Sequence, residues 1–106
     1  MSFNEYQTEA NKTASNKSIS TSASWVSYLG LGLNGESGEV AEILKKHMRD
    51  GTEINMEDLS KELGDVLWYI SGLCSAFGFS LEEIAQKNIK KLRERHGETY
   101  KSPISS

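Results

Sequence analysis
M-E-D-L-S-K-E-L-G-D-V-L-W-Y-I-S-G-L-C-S-A-F, residues Met56–Phe77, is the most regular segment of the chain. Leu59, Leu63, Val66, Ile70, Leu73 and Phe77 recur at intervals of three and four. That period is the apolar stripe of a helix and not the alternation of a strand. Asn55 stands where an N-cap belongs, and Gly78 follows the last periodic residue. Glu62 and Asp65 flank the stripe on one side, and their i, i+3 spacing puts both carboxylates on one face.

Upstream, Trp25 to Arg49 reads as a second long helix with a stripe of Trp25, Leu29, Leu33, Val40 and Ile43. It carries G-E-S-G-E-V-A-E, Gly35–Glu42. At about 100° per residue, Glu36 falls inside the stripe and Glu39 at its edge. Gly30, Gly32, Gly35 and Gly38 each cost up to ~1 kcal/mol against Ala, which weakens the helix and leaves room for a break near Asn34-Gly35. The other use of such glycines is close approach by a neighbour. Asp50-Gly51 ends the helix.

Downstream, Ser80 and Glu83 form a capping box for a last helix that Gly97 stops. Its stripe is Leu81, Ile84, Ala85 and Leu92, with Asn88 inside it and Lys91 and Arg95 along its border. Phe3 to Lys12 is a shorter helix. Residues 11–24 read as a Ser/Thr-rich loop, either a connector or a lid, and residues 98–106 as a frayed tail.

At 106 residues the chain is one domain, 1–106. No strand pattern persists, so the fold class is all-α, a four-helix bundle. A core this small gains from a second copy. The net charge of −3 argues against a nucleic-acid surface. No apolar run spans a bilayer, and no signal peptide precedes the first helix. The one cysteine, Cys74, excludes an internal disulfide. The expectation is a cytoplasmic protein without membrane or nucleic-acid partners.

Carboxylates among hydrophobes neutralise or pair. Glu36, Glu39, Glu62 and Asp65 facing one another would repel, and a divalent cation with oxygen ligands, Mg²⁺ or Mn²⁺, relieves this. Asn88, Lys91 and Arg95 would complete a site for a substrate with several phosphates. Lys46 adds positive charge, and Trp25 offers a ring face for a base. A carboxylate acting as general base would activate the attacking water. Each residue also has a structural reading. Glu36 can be a buried salt-bridged residue, Asn88 a packing amide, Lys91 and Arg95 snorkelling cations, Lys45 and Lys46 solvated. Trp25, Tyr28 and Trp68 can be core, as can Cys74. The absence of any E-x-x-H argues against a di-iron bundle.

L-G-L-N-G-E-S-G-E-V-A-E-I-L-K-K, then E-L-G-D-V-L-W-Y-I, then K-N-I-K-K-L-R-E-R-H-G resemble the MazG family of all-α nucleoside triphosphate pyrophosphohydrolases. Tyr6-Gln7 is similar to small members. The resemblance implies a protomer that forms a homodimer or a homotetramer, a dimer of dimers. It implies Mg²⁺-dependent cleavage of nucleoside triphosphates, dNTPs included, to monophosphate and pyrophosphate, in nucleotide house-cleaning. By the same motifs, Glu36, Glu39, Glu62 and Asp65 would be metal ligands and catalytic, and Asn88, Lys91 and Arg95 would contact phosphate or sugar. Two other readings are a non-catalytic module that binds nucleotide or metal, and a phosphoribosyl-ATP pyrophosphohydrolase, whose own pattern fits these blocks less well. Base and sugar preference are not written in these motifs.

Overall fold
Each helix with a defined N-cap begins at a side chain that satisfies its first free N–H groups. Ser2 accepts from Glu5 N–H at 3.1 Å while the Glu5 carboxylate accepts from Ser2 N–H at 2.9 Å, a reciprocal capping box. Asn55 accepts from the N–H groups of Glu57 and Asp58. Ser80 accepts from Glu83 N–H at 3.2 Å and donates to Asn4 Oδ1 at 3.0 Å.

The computed structural model describes residues 1–14 and 22–97. They hold four α-helices, α1 (Phe3–Thr13), α2 (Ser22–Asp50), α3 (Met56–Ala76) and α4 (Leu81–His96), and no strand. Gly51 and Gly78 leave the helices with φ of 68° and 76°, the left-handed turn that glycine adopts without strain. One expectation needs correction. The Ser/Thr-rich loop is shorter than 11–24, because residues 11–13 finish α1 and 22–24 begin α2. The rest of it, 15–21, and the tail 98–106 lie outside the described residues. α2 runs as the one long helix read from the sequence, without the break that Asn34 and Gly35 leave room for. Packing along α3 outweighs the local cost of its glycines.

That packing depends on two of the glycines. A Cβ at Gly32 would overlap the ring of Tyr69, and one at Gly72 would lie 3.0 Å from Leu29 Cδ2. The antiparallel pair therefore closes at Leu29–Gly72, Gly32–Tyr69 and Glu36–Glu62. Leu29 is fully buried there.

α1 runs antiparallel to both α3 and α4 and joins them by polar contacts. Trp68 Nε1 donates to Thr13 Oγ1 at 2.8 Å. Gln7 Nε2 donates to Ser75 Oγ and to the Phe79 carbonyl, both at 3.0 Å. Gln7 Oε1 accepts from Leu81 N–H at 2.8 Å, inside the first turn of α4. At the other end of α1, Phe3 lines a cavity with Ala85, Ile89 and Arg93.

These contacts rotate α3 away from the expected orientation. α2 meets its acidic flank, through Glu62, Tyr69 and Gly72, and α1 meets Trp68 and Ser75. The stripe between them is only partly covered. Leu59, Val66, Ile70 and Leu73 are half-buried, and Leu63 and Phe77 are 52% and 60% exposed. Among the described residues, those buried are Ala10, Leu29, Ser71, Cys74 and Leu81. The four helices thus form an open array and not a closed bundle within one copy. Among the same residues, no helix is long and apolar enough to cross a membrane.

Candidate functional site
Glu36 stands on the face of α2 that turns toward α3, one turn beyond Gly32. Glu62 stands opposite, and Asp65 one turn further along α3. Each offers a carboxylate oxygen, and these oxygens lie within 4.8 Å of one another. Glu36 and Glu62 are half-buried and Asp65 is exposed. The two glutamates are close enough to share a proton. That sharing, then desolvation and the charges of Glu36, Asp65 and Asp58, pushes the Glu62 carboxyl above its ordinary value. Glu62 Oε2 is buried and has no hydrogen-bond partner. An orphaned carboxylate oxygen inside an acidic group is the arrangement that a cation satisfies.

Glu39, the fourth expected ligand, lies outside this group and is exposed. It sits one turn along α2 and about 60° around from Glu36, at the rim of the acidic group. The α4 residues are not gathered either. Asn88, Lys91 and Arg95 are exposed. The acidic group lies toward the C-terminal end of α1 and these three toward its N-terminal end, because α4 packs antiparallel on α1. The convergence of three helices expected from the sequence therefore does not occur within one copy. Lys46 is exposed and pairs with Glu42 at 4.0 Å, ten residues and about 15 Å of helix from Glu36.

Aromatic rings adjoin the acidic group. Tyr69 is one turn from Asp65 and lies edge-on to Trp68, with centroids 5.0 Å apart. Its hydroxyl is hydrogen-bonded to that of Tyr28; this bond first, then burial and the charges of Glu36 and Asp65, pushes the Tyr69 phenol up to about 12. Trp25 stacks on Tyr28 with centroids 5.4 Å apart and planes 10° from parallel. Trp25 is half-buried and Tyr28 is 46% exposed. Tyr69 carries no pattern of its own in the sequence; only the adjacent Gly32 hints that something approaches there. Cys74 is buried, and burial raises its thiol pKa.

A family model described as the MazG nucleotide pyrophosphohydrolase domain matches residues 26–100, which contain both acidic pairs and α4. The chain belongs to the MazG nucleotide pyrophosphohydrolase family. The four-helix, strand-free architecture of the described residues accords with that family's all-α fold. The "Gene 37 protein" of Mycobacterium phage L5 is 42% identical over 74 residues, covering 66% of this chain and 65% of the relative. The chain thus spans less than two thirds of the length of that relative, whose name describes no activity. No solved structure matches the chain.

Proposed function
We propose that this MazG domain hydrolyses nucleoside triphosphates, deoxynucleotides among them, between the α- and β-phosphates to give a monophosphate and pyrophosphate. The observation that carries this reading is the group of Glu36, Glu62 and Asp65 with the orphaned Glu62 Oε2. Three hard oxygen donors without a nitrogen or sulfur among them fit Mg²⁺, with Mn²⁺ as substitute. When bound, the ion would neutralise phosphate charge and polarise the phosphoryl group under attack.

The chain's own residues supply the rest. Glu36, Glu62 and Asp65 would hold the cation. Glu39, exposed one turn away, accepts the proton of the attacking water as its oxygen bonds to the α-phosphorus. The bond from that phosphorus to the bridging oxygen breaks, and pyrophosphate leaves with the electron pair. Asn88, Lys91 and Arg95 act when α4 of a second copy reaches the acidic group. Two features support a homodimer or homotetramer: the half-covered stripe of α3, and exposed Phe79, Ile84 and Ile89 at the start of and along α4. Removal of unwanted nucleotides in a reducing cytoplasm is the setting that suits such an activity and the free thiol of Cys74.

A panel of ribo- and deoxyribonucleoside triphosphates incubated with Mg²⁺ tests the reaction. Equimolar monophosphate and pyrophosphate should appear, and EDTA should stop it. Absence of pyrophosphate from every nucleotide at high enzyme concentration would overturn the proposal. Glu39→Gln should abolish turnover with the helices intact.

A further inference from the structure
We infer that the stacked pair Trp25–Tyr28 is the surface on which the nucleobase lies, and that it holds the base by ring contact and not by reading its edges. The inference rests on the proposed reaction and adds how the substrate is chosen. Trp25 precedes Glu36 by eleven residues, three helical turns, and lies within about 20° of the same face of α2. Tyr28 precedes Glu36 by eight residues, about 12 Å of helix. Tyr69 makes the pair and the acidic group continuous. Its ring contacts Tyr28, with centroids 6.3 Å apart, while its hydroxyl lies in the field of Glu36 and Asp65.

The chemistry of the pair sets its selectivity. The stacked pair leaves an outer ring face for a further ring to stack on, and Tyr28 is 46% exposed. The Tyr28 hydroxyl lies in the plane of its ring and toward Tyr69, so a base stacked on the ring face does not meet it edge-on. Every nucleobase has a π-face, and stacking is correspondingly tolerant of base identity. Purines, with more ring area, should bind more tightly than pyrimidines, by less than about tenfold.

Calorimetric titration with the α,β-methylene analogues of dATP and dCTP, with Mg²⁺ present, tests this without turnover. Tyr28→Ala should weaken both analogues about tenfold. Tyr28→Phe, which keeps the ring and loses the hydroxyl, should bind both within about twofold of wild type by the same argument. Mn²⁺ binding, followed by electron paramagnetic resonance, should be unchanged in both variants. Unaltered affinity in Tyr28→Ala, weakening of one analogue only, or a changed oligomeric state as its sole effect would overturn the inference. If Tyr28→Ala fails to fold, Trp25→Leu decides, because it keeps bulk and removes the π-face; unchanged affinity there overturns the inference as well. The two readings fail separately. Wild-type turnover with a Tyr28→Ala variant of normal affinity sinks the stacking surface alone. Wild-type analogue binding that depends on Tyr28, with no turnover of any triphosphate, sinks the reaction alone.

Discussion
Gly32→Ala is the substitution whose effect the packing of α2 on α3 determines most directly. On its own a helical Gly→Ala change stabilises by about 1 kcal/mol. At position 32 the new methyl overlaps the Tyr69 ring, which is fixed by Trp68 on one side and by the Tyr28 hydroxyl on the other. Overpacking of this kind costs about 1–3 kcal/mol. The displaced ring also loses its Tyr28 contact, for about 1 kcal/mol more. From the middle of the overpacking range, the net is a loss of about 2 kcal/mol, and at about 4–8 °C per kcal/mol for a domain of this size the midpoint should fall by about 8–16 °C. Gly30→Ala is the control, because no atom lies within 4 Å of a Cβ built there. It should gain about 1 kcal/mol, a rise of about 4–8 °C. Both melts are followed by far-UV circular dichroism at matched protein concentration. A Gly32→Ala protein that melts at or above the wild-type temperature would refute the packing described for Tyr69.

Glu62→Gln should abolish Mn²⁺ binding detected by paramagnetic resonance while the far-UV spectrum persists, since Glu62 contributes the orphaned oxygen. Without metal, the folded domain holds the Glu62 proton at pH values where the unfolded chain has released it. The stability from this group is full below its ordinary value of 4.5 and is lost as pH rises through the raised value. Urea titrations of the metal-free protein should show that decline, Mg²⁺ should oppose it, and Glu62→Gln should remove it. Ser71→Ala should leave stability unchanged or raise it by about 1 kcal/mol, because the Ser71 hydroxyl is fully buried without a partner; a clear loss in the same urea titration would contradict that.

The local grammar of the chain was largely legible in its sequence. Asn55 and Ser80 cap where their residue types say they should, Gly51 and Gly78 turn the chain, and the period of three and four locates α2, α3 and α4. Ser2 and Glu5 carry the same S-x-x-E signature as Ser80 and Glu83; at Ser2 the box closes in both directions, whereas at Ser80 only the bond from Glu83 N–H forms. What a period cannot specify is which neighbour each face meets. The stripe of Leu63 and Phe77 marks a surface that avoids water, but within one copy α2 and α1 take the faces beside it. Glu36, Glu62 and Asp65 were legible as a group because they lie on the faces of α2 and α3 that do meet. Glu39 was placed at the edge of its stripe and lies outside the group, and Asn88, Lys91 and Arg95 were placed by their stripe on a face that the axial offset of α4 along α1 keeps apart. Tyr69 was hidden because its contact with Gly32 joins positions 37 residues apart.

The Gln7 amide bears on how this chain is made. Its partners, Ser75, Phe79 and Leu81, are synthesised long after it. On the ribosome α1 emerges first, yet its docking surface does not exist until two further helices have left the exit tunnel. During that interval α1 must wait undocked, a time when capture by a chaperone or by another nascent chain competes with correct placement. An affinity tag fused at Met1 would sit beside the Ser2, Asn4 and Gln7 contacts that orient α4.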